Sequence, residues 1–138
     1  MNDFARTYAA MMEEGAKMLR ALNPALAEAG PGAFADMLPT MPKDWMEALF
    51  GNAFNPGGLD AKTRLLVTLA GLVATGAVAE PQIRLTVRHL VEAGASEKEI
   101  AEVIWQMSML GGLPAMNTAL KIAQEVFAER NKDEEGQE

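Results

Sequence analysis

A histidine and two arginines lie close together in one stretch of the sequence that could carry chemistry. His89 is the only histidine in the chain, and histidine is the side-chain type that most readily exchanges a proton near neutral pH. Arg84 and Arg88 lie four residues apart, so they share a face if this stretch is helical. Two guanidinium groups could hold a carboxylate while the imidazole moves a proton. The alternatives are ion pairs of Arg84 with Glu80 and of Arg88 with Glu92, and a structural histidine.

The absence of cysteine excludes several other chemistries. The 138 residues include no cysteine, so disulfides, thiolate catalysis and cysteine-bound metals are all ruled out. One histidine leaves too few nitrogen ligands for the usual zinc sites, and no acidic pair has the spacing that such sites use. We therefore expect no metal.

Charge and apolar patterning narrow the expected partners and location. The formal net charge is −7, with 19 acidic and 12 basic residues, so neither nucleic acid nor an anionic membrane surface is an expected partner. The longest apolar stretch, residues 65–79, is shorter than the about 20 residues that a membrane span needs. The sequence begins without the basic and apolar regions of a secretory signal, which favours the cytoplasm.

The elements that must position these residues begin with an amphipathic helix. Apolar residues recur every three or four positions from Phe4 to Leu22, and Pro24 follows the last of them. Prolines and glycines are dense from there to Gly58, so only short helices fit, at residues 34–38 and 43–50. The second short helix is expected to bury its apolar residues, namely Trp45 or Met46, Leu49 and Phe50.

Clear start and stop signals then predict two longer helices. Asp60 is placed to cap a helix from Ala61 to about Gly76, because its carboxylate can accept a bond from an unpaired backbone N–H. Pro81 suits a first helical turn and Gly94 suits a helix stop, which predicts a second helix over residues 81–93.

Two further helices complete the predicted fold. Ser96 and Glu99 have the spacing of a capping box and open a helix that Gly111–Gly112 breaks. Pro114 begins the last helix, which extends to about Arg130.

No window shows the alternation of a strand, so the fold class is all-α, an antiparallel helical bundle. We divide the chain into a helical lead-in (1–58), a helical core of the same domain (59–130) and a solvated acidic tail (131–138).

Three short motifs occur in an order and spacing that resemble one known family. They are Leu59-Asp60-x-x-Thr63-Arg64, Gly94-Ala95-Ser96 followed by Glu99-Ile100, and Gly112-x-Pro114-x-x-Asn117. Together they resemble the carboxymuconolactone decarboxylase family from residue 59 onward. The resemblance implies an alkylhydroperoxidase D-like fold and self-association into a trimer or hexamer. It is closest to the cysteine-free decarboxylase branch, which implies cofactor-independent decarboxylation of a small carboxylated, lactone-like compound.

The resemblance also assigns roles to individual residues. The peroxidase branch has a Cys-x-x-Cys-x-x-x-His motif whose positions fall on Ala79, Gln82 and Thr86, so peroxidase chemistry is the least expected. Decarboxylases also carry a histidine at the position of Thr86, and a hydroxyl cannot replace an imidazole as proton donor. His89, three residues later, is the alternative donor, with a bound water as the other, and the predicted catalytic set is His89, Arg84 and Thr86.

Three residues remain as contacts to the substrate carboxylate or its surroundings. Arg64 belongs to the family's Thr-Arg pair and is predicted, with Arg84, to hold the anion, although it could instead pair with Asp60. Arg88 and Asn117 are the other predicted substrate contacts, and Asn117 could equally bond its neighbours. Because Thr86 replaces the family histidine, the alternative function is a catalytically degenerate, oligomeric binding or scaffold protein.

Overall fold

The structure, a computed structural model, describes residues 3–22, 39–52 and 56–137. The chain divides into two compact units, residues 1–37 and 38–138. The described part of the first unit is helix α1, Asp3–Leu22, which confirms the predicted amphipathic helix. The short helix predicted at residues 34–38 lies outside the described residues.

The second unit consists of five helices, and the described residues contain no strand, which confirms the all-α prediction. The short helix α2 is Lys43–Phe50. It is followed by α3 (Ala61–Ala74), α4 (Glu80–Glu92), α5 (Glu97–Gly111) and α6 (Leu113–Gly136).

Side-chain caps begin two of these helices as the sequence predicts. Asp60 accepts a hydrogen bond from the N–H of Thr63 at 2.8 Å, which satisfies a backbone donor at the start of α3. The capping box of α5 is complete: Ser96 Oγ accepts from the N–H of Glu99 at 3.0 Å, and Glu99 Oε2 accepts from the N–H of Ser96 at 2.8 Å. Hydrogen bonds to the charged carboxylates lower the pKa of both acids, from Thr63 on Asp60 and from the backbone of Ser96 on Glu99.

The helices α3 to α6 alternate in direction around one core. The starts of α3 and α5 are joined by the ion pair of Lys62 with Glu99 at 3.2 Å, and their ends meet where Gly111 lies against the carbonyl of Val73. These two helices therefore run parallel. The core between the helices is apolar and is formed mainly by Leu69, Val73, Ile83, Val87, Leu90, Ile100, Ile104, Ala119, Ile122 and Val126.

Two local predictions need correction. In α2 only Met46 is fully buried, packing with Ala61 and Ala93, whereas Leu49 and Trp45 are exposed. A helix of two turns has room for one narrow buried stripe, and Met46 occupies it. The last helix also continues well beyond Arg130: residues 131–136 are exposed, as predicted for the tail, but helical. A pair between Arg130 and Glu134 at 2.9 Å, four residues apart, supports this extension.

Candidate functional site

An open cleft of about 260 Å³ lies between α4 and α6. Its walls carry charges of both signs, because guanidinium groups and carboxylates from the two helices face each other. The lining residues are Thr40, Arg88, Val91 and Glu92 on one side and Val126, Glu129, Arg130 and Asp133 on the other. Among the predicted site residues, Arg88 is the one that lines this cleft.

Arg84 lies one turn before Arg88 and is ion-paired with α6. One of its terminal nitrogens contacts the carboxylate of Glu125, and the other lies 3.5 Å from Glu129 Oε1. The hydrogen bond from Arg84 holds the pKa of the Glu125 carboxyl below its usual range. Glu129 also lines the cleft, so Arg84 borders the site and any anion binding there competes with two glutamates.

His89 is held by the backbone at both ring nitrogens. Its Nε2 accepts a hydrogen bond from the N–H of Met41 at 3.0 Å, and its Nδ1 lies 2.9 Å from the carbonyl oxygen of Leu85. Only the neutral ring with its hydrogen on Nδ1 satisfies both contacts. Proton transfer by His89 would therefore require one of these two hydrogen bonds to open.

The remaining predicted residues do not converge on the cleft. Thr86 is buried among the apolar residues of α4. Arg64 donates from Nε to the carbonyl oxygen of Leu59 at 3.1 Å, and Asp60, its predicted alternative partner, instead caps the N–H of Thr63. Asn117 is exposed near the start of α6.

Sequence reasoning missed the part of the cleft that α6 contributes. Glu125, Glu129 and Asp133 recur every four residues on α6, matching Arg84 and Arg88 on α4. The four-residue spacing was visible in the sequence. The sequence does not show that this acidic face of α6 lies against α4, since Arg84 and Glu125 are 41 residues apart.

The described residues offer neither a cluster of metal ligands nor a membrane-spanning helix. Within residues 3–22, 39–52 and 56–137, His, Asp and Glu side chains form no group of three that could hold a metal ion. No helix in that same part of the chain combines the length and apolar character needed to cross a membrane.

Comparisons with known proteins cover most of the chain. The sequence model of the Carboxymuconolactone decarboxylase family matches residues 39–125. An "Uncharacterized 15.0 kDa protein in nqo9-nqo10 intergenic region" of Paracoccus denitrificans is 52% identical over 130 residues, 94% of this chain and 97% of that protein. The "4-carboxymuconolactone decarboxylase" of Acinetobacter baylyi is 38% identical over 78 residues, 56% of this chain and 57% of that enzyme.

Proposed function

The chain belongs to the carboxymuconolactone decarboxylase family, and on that premise we propose that it is a catalytically degenerate member that acts as an oligomeric binding or scaffold protein. The observation that carries this proposal is that backbone groups hold both ring nitrogens of His89. The helical scaffold of the family is retained, while the chain has Thr86 where the resemblance implies the acid–base histidine.

Decarboxylation without a cofactor makes two demands on a protein. A cation must hold the substrate carboxylate, and an acid must protonate the carbon that keeps the electron pair when carbon dioxide leaves. Arg88, which lines the cleft, would meet the first demand. The second demand has weak support among the side chains, because the hydroxyl of Thr86 cannot replace an imidazole and His89 is hydrogen-bonded to Met41 and Leu85, which leaves a bound water as the donor.

The charges of the cleft limit the ligand that it would bind. Arg88 and Arg130 are accompanied by Glu92, Glu129 and Asp133, so a ligand with several negative charges meets repulsion as well as attraction. A small molecule with a single carboxylate suits this surface better. The carboxylate would contact Arg88, and its apolar part would lie against the valines of the wall.

Active decarboxylation of a small carboxylated, lactone-like compound is the second candidate. It is favoured by the 38% identity to the Acinetobacter enzyme. In that mechanism Arg84 and Arg64 would hold the carboxylate, and His89 or a bound water would deliver the proton. The bond to the carboxylate breaks, carbon dioxide leaves, and the lactone's conjugated system accepts the electron pair until the proton arrives.

Carbon dioxide release from 4-carboxymuconolactone distinguishes the two candidates, with the Acinetobacter enzyme as positive control. We expect no release above buffer from this protein. Release above buffer would overturn the proposal and support the second candidate, and its loss in His89→Gln would identify His89, not a bound water, as the donor. Calorimetric titration measures binding separately: a lactone with one carboxylate should bind more tightly than its dicarboxylate analogue. Arg88→Gln should weaken this binding and Arg64→Gln, outside the cleft, should not.

A further inference from the structure

Residues 39–42 lead into α2, and Thr40 in this segment forms part of the cleft wall. In the described part of the chain, one hydrogen bond joins the segment to a helix other than α2: the N–H of Met41 donates to Nε2 of His89 at 3.0 Å. Because Met41 directly follows Thr40, this bond fixes the backbone beside the cleft. The position of the wall therefore depends on a histidine.

The two ring nitrogens of His89 respond differently to protonation. Nδ1 donates to the carbonyl oxygen of Leu85 at 2.9 Å, and a second proton on the ring leaves this bond in place. Nε2 accepts from Met41 only while it carries no hydrogen. In the charged ring Nε2 is itself a donor and faces another donor, so the bond to Met41 is lost. Protonation thus releases the segment while the ring stays attached to α4.

The charged side chains around the end of α4 do not fix the proton state of the ring. They are Arg88 and Glu92 on α4 itself, Lys43 of α2, Asp60 at the start of α3, and Glu129 and Asp133 of α6. Within the described residues none of them forms an ion pair with His89. The carbonyl groups at the helix end favour a cation, and the N–H of Met41 opposes one. Ring charge and the attachment of Met41 are therefore coupled.

The other end of α2 is held independently of His89. The carboxylate of Glu47 accepts hydrogen bonds from the N–H groups of Asn52 at 3.0 Å and of Ala61 at 3.1 Å. The side chains of Met41 and Met46 also pack with Ala61. Protonation of the ring therefore loosens the backbone ahead of α2 and leaves α2 itself in place.

We propose that His89 is a pH-sensitive latch on the cleft: the neutral ring holds Thr40 in the cleft wall, and the protonated ring releases it. An imidazole gains its proton within the range of about pH 5 to pH 8, where a ligand carboxylate stays ionised. This inference rests on the binding function proposed above, because the latch acts on the same cleft. A wall released on one side contacts less of the ligand, so a carboxylate should bind more weakly when the ring is charged.

Electrostatics alone predicts the opposite pH dependence of binding. A charged ring adjacent to Arg88 in the sequence adds a cation near the cleft, and a cation attracts an anionic ligand. Protonation of the acidic side chains of the cleft at lower pH would also reduce repulsion. Weaker binding of an anion at lower pH is therefore specific to the latch.

Amide hydrogen exchange tests the latch without a ligand. The protection factor of the Met41 N–H, which is corrected for the pH dependence of exchange in an unstructured chain, reports the hydrogen bond. It should fall roughly 2- to 10-fold from about pH 7.5 to about pH 5.5. Glutamine keeps an acceptor but takes up no proton, so His89→Gln should show no such fall. Lys98→Gln, at an exposed position of α5, should keep the wild-type response.

Two further measurements report the cleft. The NMR methyl resonances of Val91 and Val126, which line it, should shift over the same pH range in the wild type and not in His89→Gln. Benzoate, a probe with one carboxylate and an apolar ring, should bind the wild type several-fold more weakly at the lower pH in calorimetric titration. If benzoate binds at neither pH, the proposed binding function fails, while the exchange and methyl data still decide the latch.

The latch would be overturned by a protection factor of Met41 that does not change with pH, or that falls equally in His89→Gln. Methyl resonances that do not shift, or tighter binding of benzoate at the lower pH, would overturn it as well.

Discussion

The Nε2 atom of His89 accepts a hydrogen bond from the backbone N–H of Met41, which lies 48 residues earlier in the chain, at 3.0 Å. The ring thereby joins the segment before α2 to the last turn of α4. Its other nitrogen contacts the carbonyl of Leu85 one turn back on α4, so the ring is fixed in one orientation. A residue whose type suggests proton transfer thus acts as an attachment point for the backbone.

Replacing His89 with alanine should lower the stability of the bundle. The substitution leaves the partly buried N–H of Met41 without its acceptor, which costs about 1–2 kcal/mol of unfolding free energy. Urea denaturation followed by circular dichroism measures this change. Lys98→Ala, at an exposed position of α5, is the control and should leave the unfolding midpoint unaltered. If both variants unfold like the wild type, the hydrogen bond between His89 and Met41 contributes nothing to the free energy of unfolding.

The contact of Gly111 with Val73 makes a second, sharper prediction. A Cβ atom at position 111 would collide with the carbonyl oxygen of Val73 and lie 3.1 Å from its carbonyl carbon. Gly111→Ala must therefore push α3 and α5 apart, which costs about 1–3 kcal/mol or more. Gly71→Ala is the matched control, since a Cβ at that helical position meets nothing within 4 Å. It should stabilise the protein by about 0.5–1 kcal/mol through higher helix propensity.

Thermal denaturation of the two glycine variants should therefore move the midpoint in opposite directions. Equal destabilisation by both substitutions would mean that the close approach of α3 and α5 is not what requires glycine at position 111.

The ion pair of Arg84 with Glu125 should be visible in a titration. The hydrogen bond from Arg84 lowers the pKa of Glu125, so Arg84→Gln should raise that pKa towards its ordinary value of 4.5. Carboxyl carbon NMR shifts followed through a pH series report it directly. Lys98→Gln, which removes a cation from α5 that does not contribute to the lowered pKa of Glu125, is the control and should leave that pKa unchanged. An unchanged pKa of Glu125 in Arg84→Gln would show that Arg84 does not form this ion pair in solution. Arg84 would then again be a candidate for binding an anion.

Local signals explain why so much of the fold could be predicted. Each cap joins residues three positions apart, Ser96 with Glu99 and Asp60 with Thr63, so both partners can be identified within one short stretch of sequence. The site depends instead on partners that chain folding brings together. Met41 reaches His89 across 48 residues and Glu125 reaches Arg84 across 41, and neither spacing has a periodic signature. The helices were therefore predictable, while the roles of the residues on them were not.

The cap at Asp60 predicts how stability depends on pH. Its pKa is lowered in the folded protein, chiefly by the hydrogen bonds from Thr63, below the ordinary value of 3.8. The contribution of the Asp60 carboxylate to the free energy of unfolding is therefore complete when the pH is above the ordinary pKa. It is lost as the pH falls through the lower pKa of the folded protein. Asp60→Asn keeps an acceptor whose charge does not change, so it should lose less stability than the wild type between about pH 5 and pH 3. At neutral pH, Asp60→Ala should cost about 1 kcal/mol, and Asp60→Asn less. Urea unfolding of the wild type, Asp60→Asn and Asp60→Ala across this pH range measures these differences. If the free energy of unfolding depends on pH in the same way in the wild type and in Asp60→Asn, the charge of Asp60 does not contribute to the cap.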